Sequence, residues 1–112
     1  FAREPGEFTI APIGAIQGLL DKMNWTVEDV DLFEVNEAFA MVTMLAIQEL
    51  NLDARKVNVY GGACAQGHPI GSTGSRIILT LITALKNKGL KRGIASLCIG
   101  GGEATAMAVE LV

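Results

Sequence analysis

Apolar residues recur at helical spacing first at Ile13, Ile16, Leu20 and Met23, in a segment entered beside Pro12 and ending near Asn24. The stretch before it, residues 1–9, is irregular, with Pro5, Gly6 and alternating charges. Thr26 and Asp29 have the spacing of a cap on a short turn, after which Leu32, Phe33 and Val35 predict a brief apolar strand. From Glu37 the run EAFAMVTMLAIQEL is rich in helix formers, and Phe39, Val42, Ala46 and Leu50 share one face. Asn36 therefore stands at a strand-to-helix junction. Residues 51–58 form a polar connector, and 57–60 predict a further short strand.

A second long helix starts at or just after Pro69 and runs to about Asn87, where Gly89 stops it. Its first part, Gly71 to Ser75, is small enough to admit another backbone. Farther on, Ile77, Ile78, Leu79, Leu81, Ile82 and Leu85 cover most of its circumference. A helix apolar all round needs burial on every side, and a single small sheet covers only one. The pattern thus predicts a further layer packed against this helix. Lys86, Lys88, Lys91 and Arg92 read as a solvated helix end, placed where positive charge meets the negative end of the helix dipole. Residues 94–99 predict a buried strand and Gly100 to Gly102 a turn. Residues 104–112 predict a last strand, antiparallel to its predecessor because the link is so short.

Composition narrows the function classes. A chain of 112 residues suits one compact domain. A formal charge of −3 lacks the basic stripe that phosphate contacts require, which argues against nucleic acid. Polar residues interrupt every apolar run before it reaches membrane-spanning length. Cys64 and Cys98 are too few for a disulfide scaffold or a zinc ribbon and fit free thiols in a reducing compartment. Nothing resembles a signal peptide, and the opening Phe1 points to an upstream segment removed by processing or truncation.

The candidate chemistry centres on residues 61–76, GGACAQGHPIGSTGSR, which hold the only histidine, His68, between Gly67 and Pro69. Glycines so close to it imply a sharp bend or close ligand approach. Asn36 is either the N-cap of the helix that follows or a polar group facing a crevice at a strand's C-terminal end, where open α/β sheets bind ligands. Cys98 is either a buried structural thiol or a reactive group beside the free N–H groups of Gly100 to Gly102. Cys64 reads as packing. A Cys, a His and an Asn also invite a papain-like hydrolase reading, although neither cysteine lies in the surroundings of such a nucleophile. The glycine-rich stretch is neither a dinucleotide fingerprint nor a P-loop.

Three stretches together carry a resemblance. VNEAFA at 35–40, GGACAQGHPIGSTGSR at 61–76 and CIGGG at 98–102 resemble, in order and spacing, the three C-terminal signature motifs of the thiolase family. The likeness extends over nearly the whole chain. It implies an α/β fold, the C-terminal copy of a βαβαβαββ unit with a mixed sheet and packed helices, whose first strand is truncated here. It also implies one domain over residues 1–112 whose N-terminal, cysteine-bearing half is absent.

The activity implied is that of an acyl-CoA C-acyltransferase, condensing or thiolytically cleaving 3-ketoacyl-CoA through an acyl-enzyme thioester. By resemblance, His68 activates the nucleophilic cysteine and helps hold an oxyanion, and Asn36 fixes a water that completes that site. Cys98 carries a proton to and from the α-carbon, the N–H of Gly100 serves a second oxyanion hole, and Ala38 and Phe39 line the pocket near the CoA arm. The resemblance further implies a CoA thioester as substrate with no resident cofactor or metal, a homo-oligomeric parent enzyme, a cytoplasmic setting and a place in fatty acid metabolism. Two local departures, Tyr60 ahead of the paired glycines and Cys64, bear on substrate fit. Other readings are a non-catalytic thiolase-like module that binds CoA-type ligands or a partner, and a Cys-His hydrolase built on Cys98.

Overall fold

The structure, a computed structural model, describes residues 11–37, 40–62, 73–99 and 103–112. Helix α1 (Ala11–Met23) precedes a 3-10 turn (Val27–Asp29) and strand β1 (Leu32–Val35). Helix α2 (Ala40–Leu50) is followed by a second 3-10 turn (Ala54–Lys56), helix α3 (Thr73–Lys88), and strands β2 (Arg92–Ile99) and β3 (Glu103–Glu110). The sheet has the order β1-β2-β3. Strands β1 and β2 are parallel, with Val35 opposite Ser96, while β2 and β3 form the expected antiparallel hairpin from Arg92↔Glu110 to Ile99↔Glu103.

Strand alternation sorts the core into two layers. Phe33 and Val35 of β1 and Ile94 of β2 meet Ile13, Ile16 and Leu20 of α1 and Val42, Ala46 and Leu50 of α2. On the other face, Leu32 and Ala95 meet Ile77, Leu81, Ala84 and Leu85 of α3. The result is helix, sheet, helix, the mixed α/β architecture expected. Gly93 is required by that second layer. A Cβ there would lie 2.7 Å from Leu81 Cδ1 and 2.9 Å from its Cγ, and Leu81 is fully buried. Gly93→Ala is expected to lower stability by about 1–3 kcal/mol, the usual range for overpacking; an unchanged urea midpoint would contradict this contact.

The three described helices end in one way. Asn24 (φ 56), Asn51 (φ 54) and Gly89 (φ 68) each adopt the left-handed conformation just past the last turn. The next residue then reaches back in each case: Trp25 N–H donates to Leu20 O, Leu52 N–H to Ile47 O and Leu90 N–H to Leu85 O. These bonds satisfy carbonyls that a helix end would otherwise leave free. Thr26 N–H donates to the Asp29 carboxylate at 2.8 Å, the turn cap read from the sequence, and that bond holds the Asp29 pKa below its ordinary value.

Two expectations change. Residues 57–60 do not form a strand. They form one β-bridge with β1, Phe33↔Val57, because Asn58 (φ 49) and Gly61 (φ 81) turn the backbone out of the extended region. Arg92 is no part of a solvated helix end: it opens β2, lies 4.8 Å from the Trp25 ring centroid and pairs with Glu110 at 3.5 Å. The start of the second long helix at Pro69 and the truncated first strand lie outside the described residues. Among those residues no helix is long and apolar enough to cross a membrane.

Candidate active site

Parallel pairing sends the C-terminal ends of β1 and β2 to the same edge of the sheet. The chain leaves β1 at Asn36, whose N–H donates to Ser96 O at 2.9 Å. Cys98 stands two residues past Ser96 on β2, its backbone opposite Ala104. Two of the residues singled out from the sequence are thus brought to one strand edge, where ligands of open α/β sheets bind. His68, Gly100, Ala38, Phe39 and Cys64 lie outside the described residues.

Asn36 is 2% exposed, and among the described residues neither its Oδ1 nor its Nδ2 has a hydrogen-bond partner. The N–H groups that a cap at Asn36 would serve belong to residues 38 and 39, so the N-cap reading rests on residues outside those described; α2 is described from Ala40. Ser96, also fully buried, makes no bond to it and donates its hydroxyl to Thr105 O at 2.8 Å. A buried polar group left unpaired costs about 1–3 kcal/mol, and such groups in proteins are partnered by ordered water or ligand where protein atoms do not reach. The arrangement offers one donor and one acceptor at the strand edge, held by a rigid backbone.

A carboxylate lies beneath this edge that sequence reasoning passed over. Glu34 is 4% exposed and shares the α3 side of β1 with Leu32. Burial pushes its pKa up to about 7. The positive charge of Arg76 on α3 opposes that rise, and the nearby Glu37 adds to it. Glu37 in turn packs on Gly62, where a Cβ would lie 2.7 Å from Glu37 Cδ. The signal was present in the sequence as a charged residue inside the apolar run LFEV. Strand β1, the loop after it and α3 thereby converge on one group of charges next to Asn36.

Among the described residues, helix α3 is covered on one side only. Ile77, Leu81, Ala84 and Leu85 are buried on the sheet, whereas Leu79 is 66% exposed and Met107 on β3 is 52% exposed. An apolar hollow of about 140 Å³ opens beside it, lined by Gly74, Ile78, Leu97, Ala106 and Met107.

Comparison with known proteins places these features. The family described as "Thiolase, C-terminal domain" matches residues 1–111. The chain is 50% identical over 107 residues to the cytosolic acetyl-CoA acetyltransferase of Mus musculus, covering 96% of this chain and 27% of that enzyme. It is likewise 50% identical over 107 residues to the acetyl-CoA acetyltransferase of Chromobacterium violaceum, with the same coverage. The crystal structure of the Bacillus anthracis acetyl-CoA acetyltransferase superposes with a TM-score of 0.97 at 47% identity, covering 100% of this chain and 28% of that one. The Ascaris suum Acat5 thiolase, solved in complex with coenzyme A, gives 0.92 at 43% identity, covering 99% of this chain and 28% of that one. The chain therefore spans little more than a quarter of the length of the relatives it matches, and it belongs to the thiolase family as a C-terminal domain.

Proposed function

We propose that this chain is the C-terminal catalytic half of an acyl-CoA C-acyltransferase that joins two acyl-CoA molecules by Claisen condensation, or cleaves 3-ketoacyl-CoA with CoA. The observation that carries the reading is the buried amide of Asn36, without a partner among the described residues, at the C-terminal edge of the sheet beside the end of the strand that bears Cys98. A fixed donor at such a place suits an oxygen that gains charge in the transition state.

The roles follow from the chemistry. An α-carbon is a weak acid, so condensation needs a base beside it and donors where the enolate and tetrahedral oxygens form. Cys98 takes the α-proton in condensation and returns it in cleavage; a thiol whose pKa is lowered by its neighbours can do both. The resulting carbanion attacks the acyl thioester on a second cysteine, supplied by the N-terminal half. The C–C bond forms, the C–S bond breaks, and His68 manages the proton of the departing thiolate. Asn36, through a water, completes the oxyanion site of His68, and the N–H of Gly100 serves the other. Ala38 and Phe39 line the pocket near the CoA arm.

The same reading makes the open side of α3, with Leu79 and the hollow lined by Met107, the surface on which the N-terminal half packs. The substrate is a CoA thioester, no resident cofactor is needed, and the parent enzyme is a cytoplasmic homo-oligomer. Acetoacetyl-CoA and CoA test the proposal. The full-length enzyme is expected to cleave acetoacetyl-CoA, seen as loss of its enolate absorbance, and this chain alone is expected to be silent. Turnover by the chain alone would refute the division of the site between halves, and a full-length protein without turnover would favour the non-catalytic module.

A further inference from the structure

Asn58 lies between Val57 and Val59, where the sequence pattern predicts a strand, yet its φ of 49 takes the backbone away from β1. Its side chain stays behind. Asn58 Oδ1 accepts from Val35 N–H at 2.8 Å, Nδ2 donates to Val35 O at 2.8 Å, and the Asn58 N–H donates to Phe33 O at 2.9 Å. One amide side chain thus closes both polar groups of a single strand residue, doing for the outer edge of β1 what a neighbouring strand does elsewhere in a sheet. Asparagine suits the position twice over, since it enters the left-handed region more readily than most residues and carries a donor and an acceptor on one planar group.

Val35 is the residue immediately before Asn36. On the inner side of β1 the Asn36 N–H is held by Ser96 O. On the outer side Asn58 holds both polar groups of Val35. The chain is therefore clamped from two directions at the point where it delivers Asn36 to the sheet edge, and the Asn36 amide itself makes no bond to a described residue that could orient it. Its placement depends on the backbone that carries it.

We propose that Asn58 is a positioning residue for the acyl-transfer reaction, its amide fixing the Val35 peptide groups and so the location of Asn36. The inference rests on the oxyanion-site role given to Asn36 above. The experiment uses the full-length enzyme with acetoacetyl-CoA and CoA, and compares Asn58→Gly, Asn58→Asp, Asn36→Ala and the double variants. Glycine keeps the left-handed backbone and removes the amide. Aspartate keeps the acceptor and puts an oxygen against Val35 O, a milder change should the glycine variant fail to fold.

Each Asn58 variant is expected to lower kcat about tenfold, with KM for acetoacetyl-CoA within about twofold, because sub-ångström misplacement costs rate more than affinity. In the Asn36→Ala background the same change is expected to cost less than about twofold, since residues acting through one group are not additive. Full kcat in Asn36→Ala would remove the role of Asn36 and the proposal with it. Reduced kcat in Asn36→Ala with an equal, multiplicative loss from Asn58 in both backgrounds would overturn the positioning role alone. So would a lowered melting temperature with kcat unchanged, which is the mark of a purely structural clamp.

Discussion

In the full-length enzyme, Cys98→Ala is expected to slow exchange of the acyl-CoA α-proton with solvent by about 10²–10⁴-fold, the usual contribution of a positioned acid–base group. Acylation of the nucleophilic cysteine is expected to continue in the same variant. The separation follows from the division of labour proposed here, in which one thiol forms the thioester and the other moves the proton. Cys98 sits one residue from the end of β2, next to the edge where β1 delivers Asn36, so the residues proposed for proton transfer and for the oxyanion site lie at the same end of the sheet. The measurement is deuterium washout from labelled acyl-CoA, followed beside mass spectrometry of the acyl-enzyme. Loss of acylation with exchange preserved would reverse the assignment. A covalent adduct on Cys98 from an ester or peptide probe would instead support a Cys-His hydrolase.

Much of the fold was legible because its elements obey local rules. Helix α1 was bounded by its 3.6-residue period, and the β2–β3 hairpin by the shortness of its link. Gly89 announced the end of α3 by residue type. Asn51 makes the same left-handed stop for α2, but a lone asparagine in a polar stretch carries no comparable signal. The failure at residues 57–60 has a single cause. The apolar alternation of Val57 and Val59 is that of a strand, but the positive φ of Asn58 breaks it, and the pairing passes from backbone to side chain. No periodicity records such an exchange.

The candidate site divides differently. Residue type alone left Asn36 between cap and ligand group, and the three motifs in register supplied the functional role by resemblance. What the structure adds is an amide with no partner among the described residues and a chain held on its outer side at Val35 by Asn58 and on its inner side at Asn36 by Ser96. Glu34 was hidden because a short strand tolerates one charged position on a solvent face. The burial of all four β1 residues is a tertiary fact, set by α1 and α2 on one side and α3 on the other.

Glu34 gives the second large effect, a pH dependence of stability with a definite sign. Its carboxyl ordinarily titrates at 4.5, and burial beneath α3 raises this to about 7. Between those values the folded chain keeps a proton that the unfolded chain has released. Stability from this group is therefore greatest below about 4.5, falls as pH rises towards 7, and levels off above it. At about 1.4 kcal/mol per unit, and allowing for screening at the strand end, the loss is on the order of 2–3 kcal/mol. The charged groups facing Glu34 are Arg76 from α3, which limits the rise, and Glu37 from the loop after β1, which adds to it; its partner on β2, Ala95, is neutral. Glu34→Gln removes the titration while keeping the shape, so the variant is expected to gain on wild type by that amount between pH 5 and pH 8 in urea unfolding. The difference between the two proteins is the informative quantity, because titrations common to both cancel in it. Asp29, Asp31 and Asp53, all held below their ordinary 3.8, lose their contribution only at lower pH. Parallel stability curves for the two proteins from pH 5 to 8 would mean that Glu34 is ionised throughout. The buried charge would then be held by Arg76 as a permanent ion pair, and the group next to Asn36 would bear a fixed charge instead of a proton at neutral pH.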